Sequence, residues 1–166
     1  HFPVWISDVN KLTDAYEMIE QIGIISNKES KAKMLISHIK ENFSQLQHSN
    51  SNPQTIYLIW QKPYMTVGGD TFIHSMIEAA GFQNIYANST RYPEVTIEEL
   101  KAKNPDLIIL SSEPFPFNQK HIDELQIHLP TTKIVLADGE MFSWYGSRLI
   151  KAPAYFATVS EQIVRP

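Results

Sequence analysis

Ile56-Tyr57-Leu58-Ile59-Trp60 is a short apolar run of β-favouring residues. Lys62-Pro63 stops it ahead of a glycine pair and an apolar segment at helical spacing, Phe72, Ile73, Met76, Ile77 and Ala80. The order is strand, loop, helix. Gly68-Gly69 permits a tight turn, Asp70 is placed to cap the helix, and Gly81 to close it in a left-handed conformation. The arrangement recurs downstream. Residues 84–87 form a short strand ahead of a helix that Thr96 and Glu99 open as a capping box and Asn104-Pro105 breaks. Residues 107–110, Leu-Ile-Ile-Leu, read as a central strand buried on both faces, and a helix over 119–129 follows. Residues 133–137 form a fourth strand, from which Asp138-Gly139-Glu140 turns into a final helical region that Pro153 kinks or restarts. Strands alternating with helices predict an α/β fold, a mostly parallel sheet covered by helices on both faces.

Upstream, Val4-Trp5-Ile6 reads as the end of a strand. Ser7, Asp8 and Asn10 then offer caps for a helix with Leu12, Tyr16, Ile19 and Ile22 on one face, which Gly23 is expected to end. Ser26 and Glu29 form a capping-box pattern for a second helix, where Ala32, Leu35, Ile36, Ile39, Phe43 and Leu46 keep the 3.6-residue period. About 20 residues at roughly 1.5 Å each give a rod of about 30 Å, suited to a strut between lobes or to an amphipathic helix lying on the sheet. Residues 48–53, rich in Ser and Asn and ending in Pro, are the clearest linker, with the globular unit after it.

Charge and composition narrow the partners. A net charge of -4 without a Lys/Arg cluster gives no electrostatic footprint for nucleic acid or a membrane surface. The absence of cysteine leaves no disulfide framework or thiolate site and leaves the redox compartment open. No run approaches the length of a membrane span, and His1-Phe2-Pro3 has neither a basic nor an apolar signal region, so the chain is expected to begin as processed, truncated or excised material.

If the strands are parallel, their following loops converge on one edge, where open α/β sheets bind ligands. Each loop carries aromatics: Trp60 and Tyr64; Tyr92; Phe115 and Phe117; Phe142, Trp144 and Tyr145. Rigid rings with few torsions to freeze suit a flat, partly apolar ligand such as a corrin, a porphyrin or a catecholate siderophore. Any one of them equally suits the core, Phe72 and Phe142 above all. The six histidines, His1, His38, His48, His74, His121 and His128, are too dispersed for a metal set, and His74 with Glu78 reads as a surface pair. Gly68-Gly69 before a helix could cradle a phosphate, but without the lysine of a P-loop or the glycine pattern of a dinucleotide fold. Ser111-Ser112 lies in no nucleophile-elbow motif.

Pro63-Tyr64-Met65-Thr66 followed by Gly68-Gly69-Asp70-Thr71-Phe72 resembles the start of the C-terminal lobe in periplasmic substrate-binding proteins with a helical backbone, the cobalamin-, haem- and ferric-siderophore-binding components of ABC importers. Arg91 to Leu100, Asn104 to Ile108, Glu113 to Phe117, and Asp138-Gly139-Glu140 through Gly146-Ser147-Arg148 are similar, in order and spacing, to successive signatures of that lobe. The resemblance implies three parts: residues 1–7 as the end of an N-terminal lobe, 8–52 as a helical linker with the backbone helix, and 53–166 as the C-terminal α/β lobe.

For function, the resemblance implies a non-enzymatic receptor in the periplasm, free or lipid-anchored, that binds a large metal chelate between two lobes and delivers it to an inner-membrane permease. It implies no resident metal or cofactor. The expected ligand-binding set takes Trp60, Phe115, Phe117 and Trp144 from their places in the loops, and the resemblance adds Tyr92, where an aromatic meets the ligand in cobalamin-binding members, Tyr64 in the corresponding first loop, and Glu140, which matches an acidic cleft residue. Glu98 matches an exposed glutamate that pairs with permease arginines, although an acid in a first helical turn is also favoured by the helix dipole alone. With one lobe only, weak or no binding is expected. Two other readings compete: a phosphate- or nucleotide-binding α/β enzyme domain using the Gly68-Gly69 turn, and a scaffold whose loop aromatics are buried against a partner.

Overall fold

Apolar runs at 54–58, 107–111 and 133–137 can satisfy their backbone only by pairing with one another, and they do so side by side in one direction. The computed structural model describes residues 2–47 and 52–164, so most of the expected linker, with His1 and His48, lies outside the described residues. In chain order the elements are α1 (Leu12–Ile25), α2 (Glu29–Ser44), β1 (Gln54–Leu58), β2 (Tyr64–Met65), α3 (Phe72–Ala79), β3 (Gln83–Asn84), β4 (Glu94–Val95), α4 (Ile97–Lys103), β5 (Leu107–Ser111), α5 (Gln119–His128), β6 (Lys133–Ala137), α6 (Glu140–Ser143) and, after a 3-10 turn at Ser147–Ile150, α7 (Ala152–Val164). The main sheet has the order β3-β1-β5-β6 and is parallel throughout, as expected for β-loop-α repeats. β1 and β5 are its interior strands, and β5 is buried along its whole length.

Alternation along the strands divides the core. Tyr57, Ile59, Leu107, Ile109, Val135 and Ala137 face a layer built from α1, α2, α3, α6 and α7. Ile56, Leu58, Ile108, Leu110 and Ile134 face the other layer, with Leu100 of α4 and Leu125 of α5. Because Ala15, Ile19, Ala32 and Ile39 belong to the first cluster, α1 and α2 share the core of the sheet. At 16 residues α2 is about 24 Å long, shorter than the pattern suggested.

The caps explain several boundaries. Thr96 accepts from the Glu99 amide at 3.2 Å while the Glu99 carboxylate accepts from the Thr96 amide at 2.7 Å, which completes the expected box. Those bonds hold the Glu99 carboxyl below its ordinary value. Their contribution to stability is therefore present above the ordinary glutamate range and lost as pH falls through the depressed value. Asn104 closes α4 at φ 45°, and Gly81 follows α3 at φ 83°.

Four local expectations are corrected. Val4-Trp5-Ile6 pairs with no strand among the described residues, and Val4 and Ile6 are exposed, because no partner edge lies alongside them. Gly23 lies inside α1, where a Cβ would come within 2.5 Å of the Ala32 Cβ, so it serves the close α1/α2 approach rather than a helix end. Ser26 donates its hydroxyl back to the Ile22 carbonyl at 2.6 Å and finishes α1 instead of opening α2. The side chain that caps α3 is Thr71, whose oxygen accepts from the His74 amide at 3.2 Å, while Asp70 accepts from the Arg91 amide at 2.5 Å.

Candidate functional site

In a parallel sheet the loops leaving β1, β3, β5 and β6 emerge at one edge, and the site is built there. After β1 the chain folds back sharply. The Ile59 amide donates to the Met65 carbonyl at 3.0 Å and the Met65 amide to the Trp60 carbonyl at 3.2 Å. That turn presents Trp60, 40% exposed, with its ring 5.6 Å from Phe115 of the β5 loop.

Residues 66–70 then run against residues 87–93. Thr66, Gly68 and Gly69 donate their amides to the carbonyls of Pro93, Arg91 and Ser89 at 3.0, 2.7 and 2.9 Å. A Cβ on Gly68 would stand 2.3 Å from the Ser89 carbonyl oxygen, and one on Gly69 would stand 2.0 Å from that of Ala87. The glycines are there for close backbone approach, and their donors are already used. The phosphate-cradle reading fails on this geometry. What the ladder does instead is hold the loop bearing Tyr92, 44% exposed.

The β5 exit is held from below. Burial pushes the Tyr57 hydroxyl far above its ordinary pKa, so it stays protonated and donates to Ser111 Oγ at 3.1 Å. Ser111 in turn donates to the Glu113 carbonyl at 2.5 Å and accepts from the Glu113 amide at 3.2 Å. Beyond β6, the Asp138 amide donates to the Tyr155 hydroxyl at 2.6 Å, and the Asp138 carboxylate accepts from the Glu140 amide at 3.1 Å. Glu140 forms an ion pair with Arg148, whose guanidinium carbon lies 5.2 Å from the centre of the Trp144 ring.

Two recesses open along this edge. One of about 500 Å3 is lined by Ile59, Ile73, Tyr92, Glu113, Pro114 and Ser143. The other, about 440 Å3, is lined by Met18, Ser143, Trp144, Tyr145 and Gly146. Ser143 borders both. A further cavity, about 970 Å3, lies between the N-terminal segment, α1 and α3, and none of the predicted site residues lines it.

The expected residues separate accordingly. Trp60 with Phe115, Tyr92, and Glu140 with Trp144 occupy the rim. Phe117, only 6% exposed, is a core side chain under α5, because the loop turns it inward beside Phe115 at 4.7 Å. Tyr64 is half-buried toward the same helix layer, its hydroxyl accepting from Gln61, which also reaches Glu124 of α5. Glu98 is exposed in the first turn of α4. Glu113, named in the sequence only as the start of a motif, and Ser143 and Met18 are not among the expected site residues, because each reaches the rim from a different element. The role of Arg148 beside Glu140 was also missed, since α6 ends at Ser143 and a separate 3-10 turn carries Arg148, so no single element's period links the two. Among the described residues no group of three or more His, Cys, Asp or Glu is placed to hold a metal, and no helix is long and apolar enough to cross a membrane.

The sequence profile described as periplasmic binding protein matches residues 1–133. The chain belongs to that family. Among periplasmic binding proteins and their relatives, it is 26% identical over 113 residues to the vitamin B12-binding protein of Vibrio parahaemolyticus, covering 66% of this chain and 41% of that one. It is also 26% identical over 111 residues to YvrC, an uncharacterized ABC transporter substrate-binding lipoprotein of Bacillus subtilis, covering 63% of this chain and 35% of the relative. The chain thus matches about two-fifths of the length of these relatives. A crystal structure from Staphylococcus epidermidis, described as a possible iron-binding (periplasmic solute-binding) protein, superimposes with a TM-score of 0.80 at 19% identity, over 98% of this chain and 66% of that one. At that identity the likeness speaks for the fold, which is the periplasmic binding protein architecture. A family of binding proteins also agrees with the expectation of a non-enzymatic chain.

Proposed function

We propose that this periplasmic binding protein chain supplies one wall of the ligand cleft of an ABC-importer receptor, located outside the cytoplasm, and that its ligand is a large metal chelate of the cobalamin, haem or ferric-siderophore kind. The observation that carries this reading is that three βα loops expose aromatics at one sheet edge, Trp60, Tyr92, and Trp144 with Tyr145, with half-buried Phe115 of a fourth loop behind Trp60, and that Tyr92 and the Trp144-Tyr145 pair border two shallow recesses. Shallow recesses suit a flat ligand that a second lobe covers. Residues 8–52 would act as the backbone between lobes, and residues 53–166 as the C-terminal lobe. Relatives named for vitamin B12 and for ABC transport support the same reading.

Affinity would come from a preformed surface, since the loop ladder leaves the rim little freedom to rearrange. In the intact protein, Trp144→Ala and Tyr92→Ala should each weaken chelate binding by about 2 kcal/mol, roughly thirtyfold, as expected for aromatic anchors. Trp144 removal also takes the ring from beneath Arg148, which keeps Glu140, so Trp144→Phe should restore most of the loss. Unchanged affinity in both alanine variants, read by fluorescence titration, would remove the rim from the binding site.

Glu98 is the proposed contact for a cationic permease surface. α4 begins on the side of the sheet where the strands end, so Glu98 stands near the rim but on the outer helix layer. Glu98→Arg should lower uptake by the assembled importer by roughly tenfold or more through like-charge contact, with ligand affinity unchanged. Uptake at the unsubstituted rate would exclude this docking role.

A further inference from the structure

Charge along the rim is unevenly compensated. Arg148, the cation beside the Trp144 recess, is already engaged by Glu140 and by the Trp144 face. The groove under Tyr92 has a single charged side chain in its lining, Glu113, and Glu113 takes part in none of the ion pairs among the described residues. Its backbone is pinned on both sides by Ser111, and its neighbours in the groove are the apolar Ile59, Ile73 and Pro114. A carboxylate carried on a held backbone beside an apolar floor is less screened than one in open water. It repels an approaching anion and accepts a short, charge-assisted hydrogen bond from an amide or hydroxyl.

From this we infer that the groove selects chelates without net negative charge, with hydrogen-bond donors on their periphery, and that Glu113 is the residue that discriminates. An amide-bearing corrinoid and a neutral ferric trihydroxamate share that chemistry. A haem with ionised propionates and a ferric tricatecholate do not. This inference rests on the receptor reading above.

The test is titration of the intact protein with cyanocobalamin, a neutral ferric trihydroxamate, haemin and a ferric tricatecholate, followed by the same series on Glu113→Gln and Glu113→Lys. At least one neutral chelate should bind tenfold or more tightly than either anionic one. Glu113→Lys should narrow that ratio at least tenfold. Glu113→Gln, which keeps the shape and removes the charge, should narrow it by about threefold and serves if the lysine variant misfolds. An anionic chelate bound as tightly as the neutral ones, or a ratio within twofold of the original in both variants, overturns the inference and leaves the receptor reading standing. Failure of every chelate, neutral and anionic, to bind overturns the receptor reading and this inference with it.

Discussion

Gly69→Val is expected to destabilise the protein by about 3 kcal/mol, at the upper end of what overpacking costs, because the new Cβ meets a backbone oxygen rather than a yielding side chain. That oxygen, of Ala87, would lie 2.0 Å away, and relief would require residues 66–70 and 87–93 to separate. Separation would break the amide bonds from Gly68 to Arg91 and from Gly69 to Ser89. The damage should therefore reach Tyr92 as well as the unfolding midpoint. Gly146→Ala, where a Cβ meets nothing within 4 Å, is the matched control and should shift stability by less than about 0.5 kcal/mol. Urea unfolding followed by circular dichroism separates the two variants. A Gly69→Val protein as stable as the parent would mean that the loop ladder is not formed.

Phe142→Ala should cost about 3–5 kcal/mol, the range for emptying an aromatic site in a packed core. The ring is fully buried, with its centroid 5.1 Å from that of Tyr57 and 4.7 Å from that of Phe156. It joins the sheet to α7 from the first turn after β6, so the cavity would open next in the chain to residues 143–146, which line the Trp144 recess. Loss of stability should be accompanied by weaker ligand binding, whereas Phe142→Leu should recover much of both. A cost under 1 kcal/mol in denaturant would show that this side of the core is not packed as described.

The parts of this fold that sequence reveals are those specified by neighbours along the chain. The Thr96/Glu99 box, the left-handed Asn104 and Gly81, and the uninterrupted apolar strand at 107–110 each depend on a few consecutive residues and appear where the pattern puts them. Residues whose role depends on a distant partner were harder to place. Gly23 looks like a helix stop until Ala32 is seen against it. Asp70 looks like a cap until the Arg91 amide takes its carboxylate. Phe115 and Phe117 carry the same signal, yet the loop sends one to the rim and the other into the core. Val4-Trp5-Ile6 has strand propensity but no strand to join among the described residues. That the loops after parallel strands reach one sheet edge was legible because topology sets it, but which of their aromatics stay exposed was not: Trp60, Tyr92 and Trp144 do, whereas Phe117 and Tyr64 turn toward the α5 layer. The neutralisation of Glu140 by Arg148 was not, because it depends on how a turn without periodicity closes.

In the proposed receptor, rings from separate loops of one sheet edge meet a single chelate. A fluorescence titration of the intact protein with cobalamin, haemin and ferric siderophores tests this, with Trp60 and Trp144 as reporters and the visible spectrum of each ligand followed in parallel. Saturable quenching by one class of chelate, lost or much reduced when Trp60 and Trp144 are both replaced by Phe, is the predicted result. Saturable binding by a chelate with the emission of both tryptophans unchanged would place the ligand away from this edge and contradict the account.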